Sequence, residues 1–176
     1  MKIRCGMVAM IAALAVMLLM TIPAAAPAAV SLNSYERQVV KLVNKQRAKR
    51  GLHALRVNAS LVRAARRHST DMSTQKFFGH TSLSGQTCFR RMIRHGYKRT
   101  GYRYWKAGEN IAWGAGIYSS PVVVVDGWMK SKGHRAVLLT RNFRNIGVGA
   151  VKTTDGFGDY DGTVWFFTLD VGRRIK

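Results

Sequence analysis

Three side chains that can bind a metal or transfer a proton are the chemically informative residues of this sequence. His80 lies in Phe-Phe-Gly-His-Thr, Glu109 in Gly-Glu-Asn-Ile-Ala, and His134 in Lys-Ser-Lys-Gly-His-Arg. A glycine beside each of them indicates a loop-like setting and allows close approach of the backbone. Two imidazoles and one carboxylate brought together would form a polar cleft or a metal site.

The residues alone leave the chemistry open. The sequence has no His-Glu-x-x-His, so helical spacing fixes no pair of metal ligands, and it has no Gly-x-Ser-x-Gly elbow for a serine nucleophile. His80 and His134 are far apart in the chain and could each have a separate structural role. A further histidine, His68, falls on the apolar face of a predicted helix, which favours a packed, hydrogen-bonded side chain over a ligand.

Three helices are predicted in the first half of the chain. The first begins at the cap Asn33, with Glu36 at the spacing of a capping box, and ends near Gly51. The second covers about 60–74, and the third covers about 85–95. The aromatic and cationic segment 97–106 is predicted to be a surface loop, although such a segment can also bind single-stranded nucleic acid or sugar-phosphate polymers.

The second half predicts one helix and two strands. Four consecutive valines at 122–125 favour a strand, but Ser120 and Pro121 form a helix start, and we predict a helix that packs on a sheet. Segments 145–152 and 163–171 are predicted to form an antiparallel pair joined by a solvated turn, which lacks the spacing of a calcium loop. Glycines 147 and 149 share one strand face, which indicates close approach by another backbone or a large ring.

The first 29 residues are predicted to be an export signal, cleaved around Ala28 or Ala29. Lys2 and Arg4 precede an apolar stretch at 7–22, and small residues follow at 26–28. A retained anchor is the alternative. The remaining residues, 30–176, are predicted to form a single domain that acts outside the cell or at the cell envelope.

Cys88 is the only cysteine outside this segment, so no internal disulfide is expected in the exported chain. We predict a buried, unpaired thiol beside Phe89 and a monomeric protein.

The charge of the chain is strongly basic. It has 29 Lys and Arg against 8 Asp and Glu, a formal net charge of +21, and residues 31–106 hold 18 of the basic residues and only 2 acidic ones. For an exported protein this predicts attraction to anionic wall polymers or acidic lipid headgroups, with no specific nucleic-acid partner. The alternative interpretation is that the positive charge keeps the protein soluble and binds no particular partner. The candidate anion-binding residues are Arg90, Arg91, Arg94, Lys98, Arg99 and Arg103.

The motifs, in their order, resemble the CAP superfamily (cysteine-rich secretory proteins, antigen 5, pathogenesis-related 1) in its bacterial SCP-like extracellular form. They are Asn-x-x-Arg at 44–47, Phe-Phe-Gly-His-Thr, Gly-Glu-Asn-Ile-Ala, Trp-Met-Lys-Ser-Lys-Gly-His-Arg, Gly-Val-Gly and Phe-Phe-Thr-Leu-Asp-Val-Gly. Each motif is weak alone, but their order and spacing cover about residues 35–172. The resemblance implies an α+β fold: a three-layer α-β-α sandwich with a central, mostly antiparallel sheet.

The resemblance also implies a central cleft, which in the family is lined by two histidines and two acids and can hold a divalent metal such as zinc. His80, Glu109 and His134 match three of these positions, whereas Ser131 lies where the second acid is usual. The implied metal ligands are therefore His80, His134 and Glu109, with one position open. A serine hydroxyl cannot replace the missing carboxylate as a general base near neutral pH.

Three hypotheses follow for the function. The favoured one is a binding module whose cleft takes a divalent metal, a small polar molecule or a lipid at the cell envelope. The alternative is a metal-dependent peptidase or esterase, with Glu109 and His134 as the candidate catalytic residues. In the third, the cleft is vestigial and the basic region 90–106 binds wall polymer.

Overall fold

A computed structural model of the protein describes residues 30–176, and the predicted export signal lies outside them. The helices are α1 (Ser34–Ala48), α2 (Ala59–Thr74), α3 (Cys88–Arg94), α4 (Pro121–Lys130) and α5 (Lys132–Leu139), with a 3-10 helix at Gly116–Ser119. The strands are β1 (Arg56–Val57), β2 (Tyr104–Ala115), β3 (Asn145–Thr153) and β4 (Val164–Ile175).

The four strands form one sheet in the order β1-β3-β4-β2. The short β1 pairs with β3 in parallel, and the β3–β4 and β4–β2 pairs are antiparallel. The predicted strand pair and the mostly antiparallel sheet are confirmed. Because β2 lies at one end of this order, one of its edges has no neighbouring strand, and residues on it can face a cleft.

Helices cover both faces of the sheet. On one face α1, α4 and α5 pack around a core that includes Val39, Val125, Leu138 and Phe167. On the other face α2 and α3 pack over two smaller clusters, one around Leu61 and one around the Met72 side chain. The predicted α+β class and three-layer α-β-α sandwich are confirmed. Within residues 30–176, every helix falls short of the length and hydropathy that crossing a bilayer requires.

The start of α1 is fixed by the predicted capping box. The Asn33 side chain accepts from the Glu36 backbone N–H, and the Glu36 carboxylate accepts from the Asn33 N–H, each at 2.9 Å. Glu36 is fully buried and forms an ion pair with Arg66 of α2 at 2.6 Å. The position of Arg66 in α2 predicts a solvated side chain. The ion pair instead connects α2 to α1 at the edge of the sheet.

The valine-rich segment forms helix α4, as predicted against its strand propensity. The Ser120 hydroxyl accepts from the Val122 N–H, and Pro121 occupies the first turn, where its missing N–H costs nothing. Val124, Val125 and Trp128 are buried on one side of the helix. Burial of that face against the sheet outweighs the modest helix penalty of β-branched residues.

His68 is a fully buried residue of α2, as its place on the apolar face predicts. Its Nε2 donates to the Gly79 carbonyl at 2.8 Å, which ties the His80 segment to the helix. Burial lowers the pKa of His68, although the negative charge of Glu109 acts in the opposite direction.

Acidification should therefore destabilise the protein through His68. Its pKa is lower folded than unfolded, so the unfolded chain takes up the proton first as pH falls below about 6.5. We expect thermal melting points to fall between pH 7 and pH 5, and a His68→Gln variant, which keeps an N–H donor, to show a shallower fall. Equal slopes in the two proteins would contradict this assignment.

Candidate functional site at the open edge of the sheet

Glu109 lies within strand β2, so the prediction that it occupies a loop is wrong. The neighbouring Gly108 predicts a loop, but it is also a strand residue. A β-carbon on Gly108 would lie 3.3 Å from Val137 of α5. Tyr104 likewise begins the strand, so the predicted loop 97–106 is shorter than expected. The strand holds Glu109 rigidly at the open edge of the sheet.

Both carboxylate oxygens of Glu109 are occupied. Oε1 lies 2.8 Å from Nδ1 of His80, and Oε2 accepts from the Arg91 guanidinium at 2.6 Å. The Glu109 and Arg91 side chains are buried, whereas the His80 side chain is 53% exposed. The carboxylate therefore orients the His80 ring and leaves the Nε2 side of that ring towards solvent.

Arg91 is fully buried, so its predicted role in binding anions at the surface is wrong. Besides Glu109, it donates to the carbonyls of His80 and Gln86 at 3.0 and 2.9 Å and to the Ser82 hydroxyl at 3.2 Å. It fixes the segment between α2 and α3 that carries His80. The other predicted anion-binding residues, Arg90, Arg94, Lys98, Arg99 and Arg103, are exposed.

Asp170 is a site residue that sequence reasoning missed. It lies opposite Glu109 in the β2–β4 register and is 1% exposed. Burial, followed by the charge of Glu109, raises its pKa well above the ordinary value, while Arg91 opposes the shift. The neutral acid is therefore favoured beside the Glu109 carboxylate. A charged residue within the continuous apolar run of β4 was the available signal.

His134 lies in helix α5, so its predicted loop setting is also wrong. Its backbone carbonyl accepts from the Asn110 amide of β2 at 3.0 Å, which attaches α5 to the edge strand. Burial lowers the pKa of His134, with the charge of His80 as a second cause, so the two rings are close enough to interact. Ser131 joins α4 to α5 and lines the same recess as His134.

The side chains present do not fit a zinc ion that takes Glu109 as a ligand. One Glu109 oxygen is bonded to the Arg91 guanidinium, so an added cation would meet a fixed positive charge. The other oxygen is bonded to His80. Within residues 30–176, no group of three His, Cys, Asp or Glu side chains has the geometry of a metal site. Of the predicted ligands His80, His134 and Glu109, the glutamate does not fit, and binding of a divalent metal by this protein stays a prediction.

An apolar groove extends from His134 along the end of β2. Its first part, a recess of about 350 Å³, is lined by Ser131, His134 and apolar residues that include Trp113, Tyr118 and Val123. A second recess of about 550 Å³ shares Trp113 and Tyr118 and extends to Ile117 and Tyr160. The groove therefore has polar side chains at one end, Ser131 and His134, and apolar side chains along the rest of its length.

Cys88 is a free, partly buried thiol packed against the cluster around Leu61. Burial raises its pKa to about 12, with the charge of Glu109 as a further cause. The thiolate needed for disulfide exchange is therefore scarce at neutral pH. The absence of pairing between molecules through Cys88 stays a prediction.

Two curated proteins of Bacillus subtilis (strain 168) are similar in sequence. The chain is 39% identical to the protein YkwD over 135 residues, which is 77% of this chain and 46% of the relative. It is 33% identical to the membrane protein YlbC over 114 residues, which is 65% of this chain and 31% of the relative. The chain therefore spans less than half the length of these relatives.

Solved structures share the fold. An extracellular protein from Bacillus anthracis str. Ames that contains an SCP domain superposes with a TM-score of 0.61 at 30% identity, covering 81% of this chain and 40% of that one. An outer surface protein of Borrelia burgdorferi superposes with a TM-score of 0.63 at 22% identity, covering 78% of this chain and 91% of that one. The second likeness concerns the fold alone.

The family profile described as "Cysteine-rich secretory protein family" matches residues 40–171, which include all four cleft residues predicted from the sequence. The helices and strands form the α-β-α sandwich that the motif resemblance implies. The chain belongs to the CAP, or cysteine-rich secretory protein, family.

Proposed function

We propose that the protein is an exported binding module whose cleft takes a small amphipathic molecule, such as a lipid or a fatty acid. The apolar part of this ligand lies in the groove beside β2, and its polar group lies at His134 and Ser131. The proposal that the protein is exported rests on the basic residues and the apolar stretch at the start of the sequence. It is supported by the similar SCP-domain protein of B. anthracis, which is described as extracellular.

The observation that carries this proposal is the exposure of large apolar side chains along the groove. Ile117 is 73% exposed, Tyr118 66% and Trp113 38%. Exposed apolar side chains that line a concave surface cost free energy in water and mark a binding site for apolar groups. Because these residues are contiguous with His134, the groove suits a molecule with both an apolar chain and a polar end.

The polar end of the groove has neutral hydrogen-bonding groups. A lowered pKa keeps His134 uncharged at neutral pH, so its imidazole can both donate and accept. The Ser131 side chain makes no cap bond to α5 and is available to a ligand. These groups fit a hydroxyl or carboxyl end better than they fit a strongly hydrated ion.

Two adjacent valines provide a matched test of the groove. Val123 lines it and Val122 does not, although both are exposed in the first turn of α4, at 38% and 50%. We expect Val123→Asp to weaken binding of a fluorescent long-chain fatty acid about tenfold or more, because a carboxylate would be desolvated against the chain. Val122→Asp, with the same charge in the same helix turn, should bind like the wild type in a fluorescence titration.

Two outcomes would contradict ligand binding in the groove. Equal losses in the two variants would show a general charge effect. Failure of the wild type to bind any fatty acid, lysolipid or fatty alcohol would remove the proposal. Secretion is tested separately, by locating the full chain in cell fractions of the producing organism.

A hydrolytic role remains the second candidate because of one contact, the bond between Glu109 and Nδ1 of His80. A ring held in this way can act as a general base through Nε2 without a metal. This candidate predicts ester or peptide hydrolysis that is lost in His80→Gln and unaffected by a chelator. Activity that requires added zinc would instead favour the metal-dependent hydrolase predicted from the sequence.

A further inference from the structure

Helix α3 and the segment before it present apolar side chains to solvent. Leu83 is 66% exposed, Phe89 45% and Ile93 38%, although each is large enough to be a core residue. Phe89 and Ile93 are four residues apart in α3, so they lie on one side of the helix. Arg90 and Arg94 each follow one of these apolar residues by one position and are also four residues apart. They therefore form an exposed cationic stripe beside the apolar one. We call the surface formed by Leu83, Phe89, Arg90, Ile93 and Arg94 the α3 face.

The α3 face lies in a part of the chain without acidic residues. None occurs between Asp71 and Glu109 in the sequence. Within residues 30–176, Arg90, Arg94 and the neighbouring Lys98 form no ion pair with a carboxylate. Their charges are thus available to an anionic surface.

A polar recess adjoins this surface between α2 and α3. It has a volume of about 310 Å³, and Arg94, His95, Ser84 and Gln86 contribute to its lining. Arg67 and Asp71 also line it, and the Asp71 carboxylate holds Arg67 at 2.9 Å. Hydroxyl, amide and guanidinium donors in one recess are the groups that bind phosphate oxygens.

The electrostatic setting of His95 reflects the same excess of positive charge. Burial lowers the pKa of His95, and the charges of Arg63, Arg67 and Arg94 lower it further, while Asp71 acts in the opposite direction. Three cations against one carboxylate surround this ring. An anion that enters the recess therefore gains from a field that the folded protein already contains.

We propose that the α3 face docks on a bilayer of acidic phospholipids, with Leu83 and Ile93 entering the interface and Arg90 and Arg94 contacting headgroup phosphates. Apolar side chains bordered by unpaired cations are the combination that binds a bilayer surface, because apolar burial and charge attraction act together. The recess beside Arg94 takes one headgroup. This surface is formed by α3 and the preceding segment, not by the groove beside β2, so the inference does not rest on the proposed function.

Vesicle binding by the purified full chain tests the proposal. Phosphatidylglycerol-containing vesicles should bind it in sedimentation assays, and pure phosphatidylcholine vesicles should not. Arg90→Gln/Arg94→Gln should weaken partitioning about twenty-five-fold, since each cation near an anionic surface contributes about fivefold. The matched control is Lys41→Gln/Lys45→Gln, which removes two exposed cations at the same helical spacing on α1, across the sheet. It should change partitioning far less.

An apolar variant separates docking from simple charge attraction. Leu83→Ser/Ile93→Ser should weaken vesicle binding at low and at high salt, with an unchanged thermal melt. If both charge variants weaken binding equally, net charge alone is responsible and the proposal fails. It also fails if a soluble glycerol-phosphate polymer displaces the protein completely while the apolar variant binds like the wild type, because the partner is then a wall polymer. Loss of fatty-acid binding in the groove would leave these results unchanged.

Discussion

Replacing Arg91 with methionine should lower the free energy of unfolding by about 3–5 kcal/mol, because the Glu109 carboxylate would stay buried without its counter-ion. The Arg91 side chain is 0% exposed and lies 2.6 Å from Glu109. The variant also loses the bonds to the carbonyls of His80 and Gln86, which hold the segment that carries His80. Urea unfolding followed by circular dichroism measures the effect.

The neighbouring arginine provides the control. Arg90 is exposed, and Arg90→Met should change stability by no more than about 0.5 kcal/mol. The double variant Arg91→Met/Glu109→Gln should be more stable than the sum of the two single effects implies, because no charge is then left buried alone. If Arg91→Met and Arg90→Met were equally mild, the buried pair would not contribute to the fold as described.

Gly147→Ala should destabilise the protein by about 3 kcal/mol or more, at the upper end of the cost of over-packing. A β-carbon on Gly147 would lie 2.2 Å from the Leu61 carbonyl carbon and 2.3 Å from the Val62 nitrogen. Both are backbone atoms of α2, so no side-chain rotation relieves the overlap. The helix would have to move away from β3, and the same unfolding assay would record the loss.

A glycine in open space is the matched comparison. Gly127 lies within α4, and an added β-carbon would meet nothing within 4 Å. Gly127→Ala should therefore stabilise the protein by about 0.5–1 kcal/mol, because alanine loses less backbone entropy in a helix. Opposite signs for the two substitutions are the expected result, and equal losses would show that close packing at Gly147 is not the cause.

The elements that sequence reasoning predicted well are those specified by local contacts. The capping box at Asn33 and the Ser-Pro start of α4 each involve residues within four positions of one another. The paired glycines of β3 predicted a close backbone without identifying it. That backbone belongs to α2, and Gly149 meets it at Ala65 and Arg66.

The errors occurred where a residue's partner is distant in the sequence. The local sequence predicts Arg91 to be a surface arginine because its partner, Glu109, belongs to another element. The glycines beside Glu109 and His134 predict loops, whereas both residues lie in regular elements. The sequence of its own strand does not show that Asp170 lies opposite Glu109, and the pairing of β2 with β4 identifies it as a site residue.

The sequence by itself determined the family and the layered α+β fold, because ordered motifs and hydrophobic periodicity are local properties of the chain. Only the tertiary structure decided that Arg91 is the buried counter-ion of Glu109, and that the carboxylate orients His80. The physical reason is that burial and charge pairing depend on which distant elements meet. A guanidinium with the same local sequence context is a surface charge in one setting and an internal ion in another.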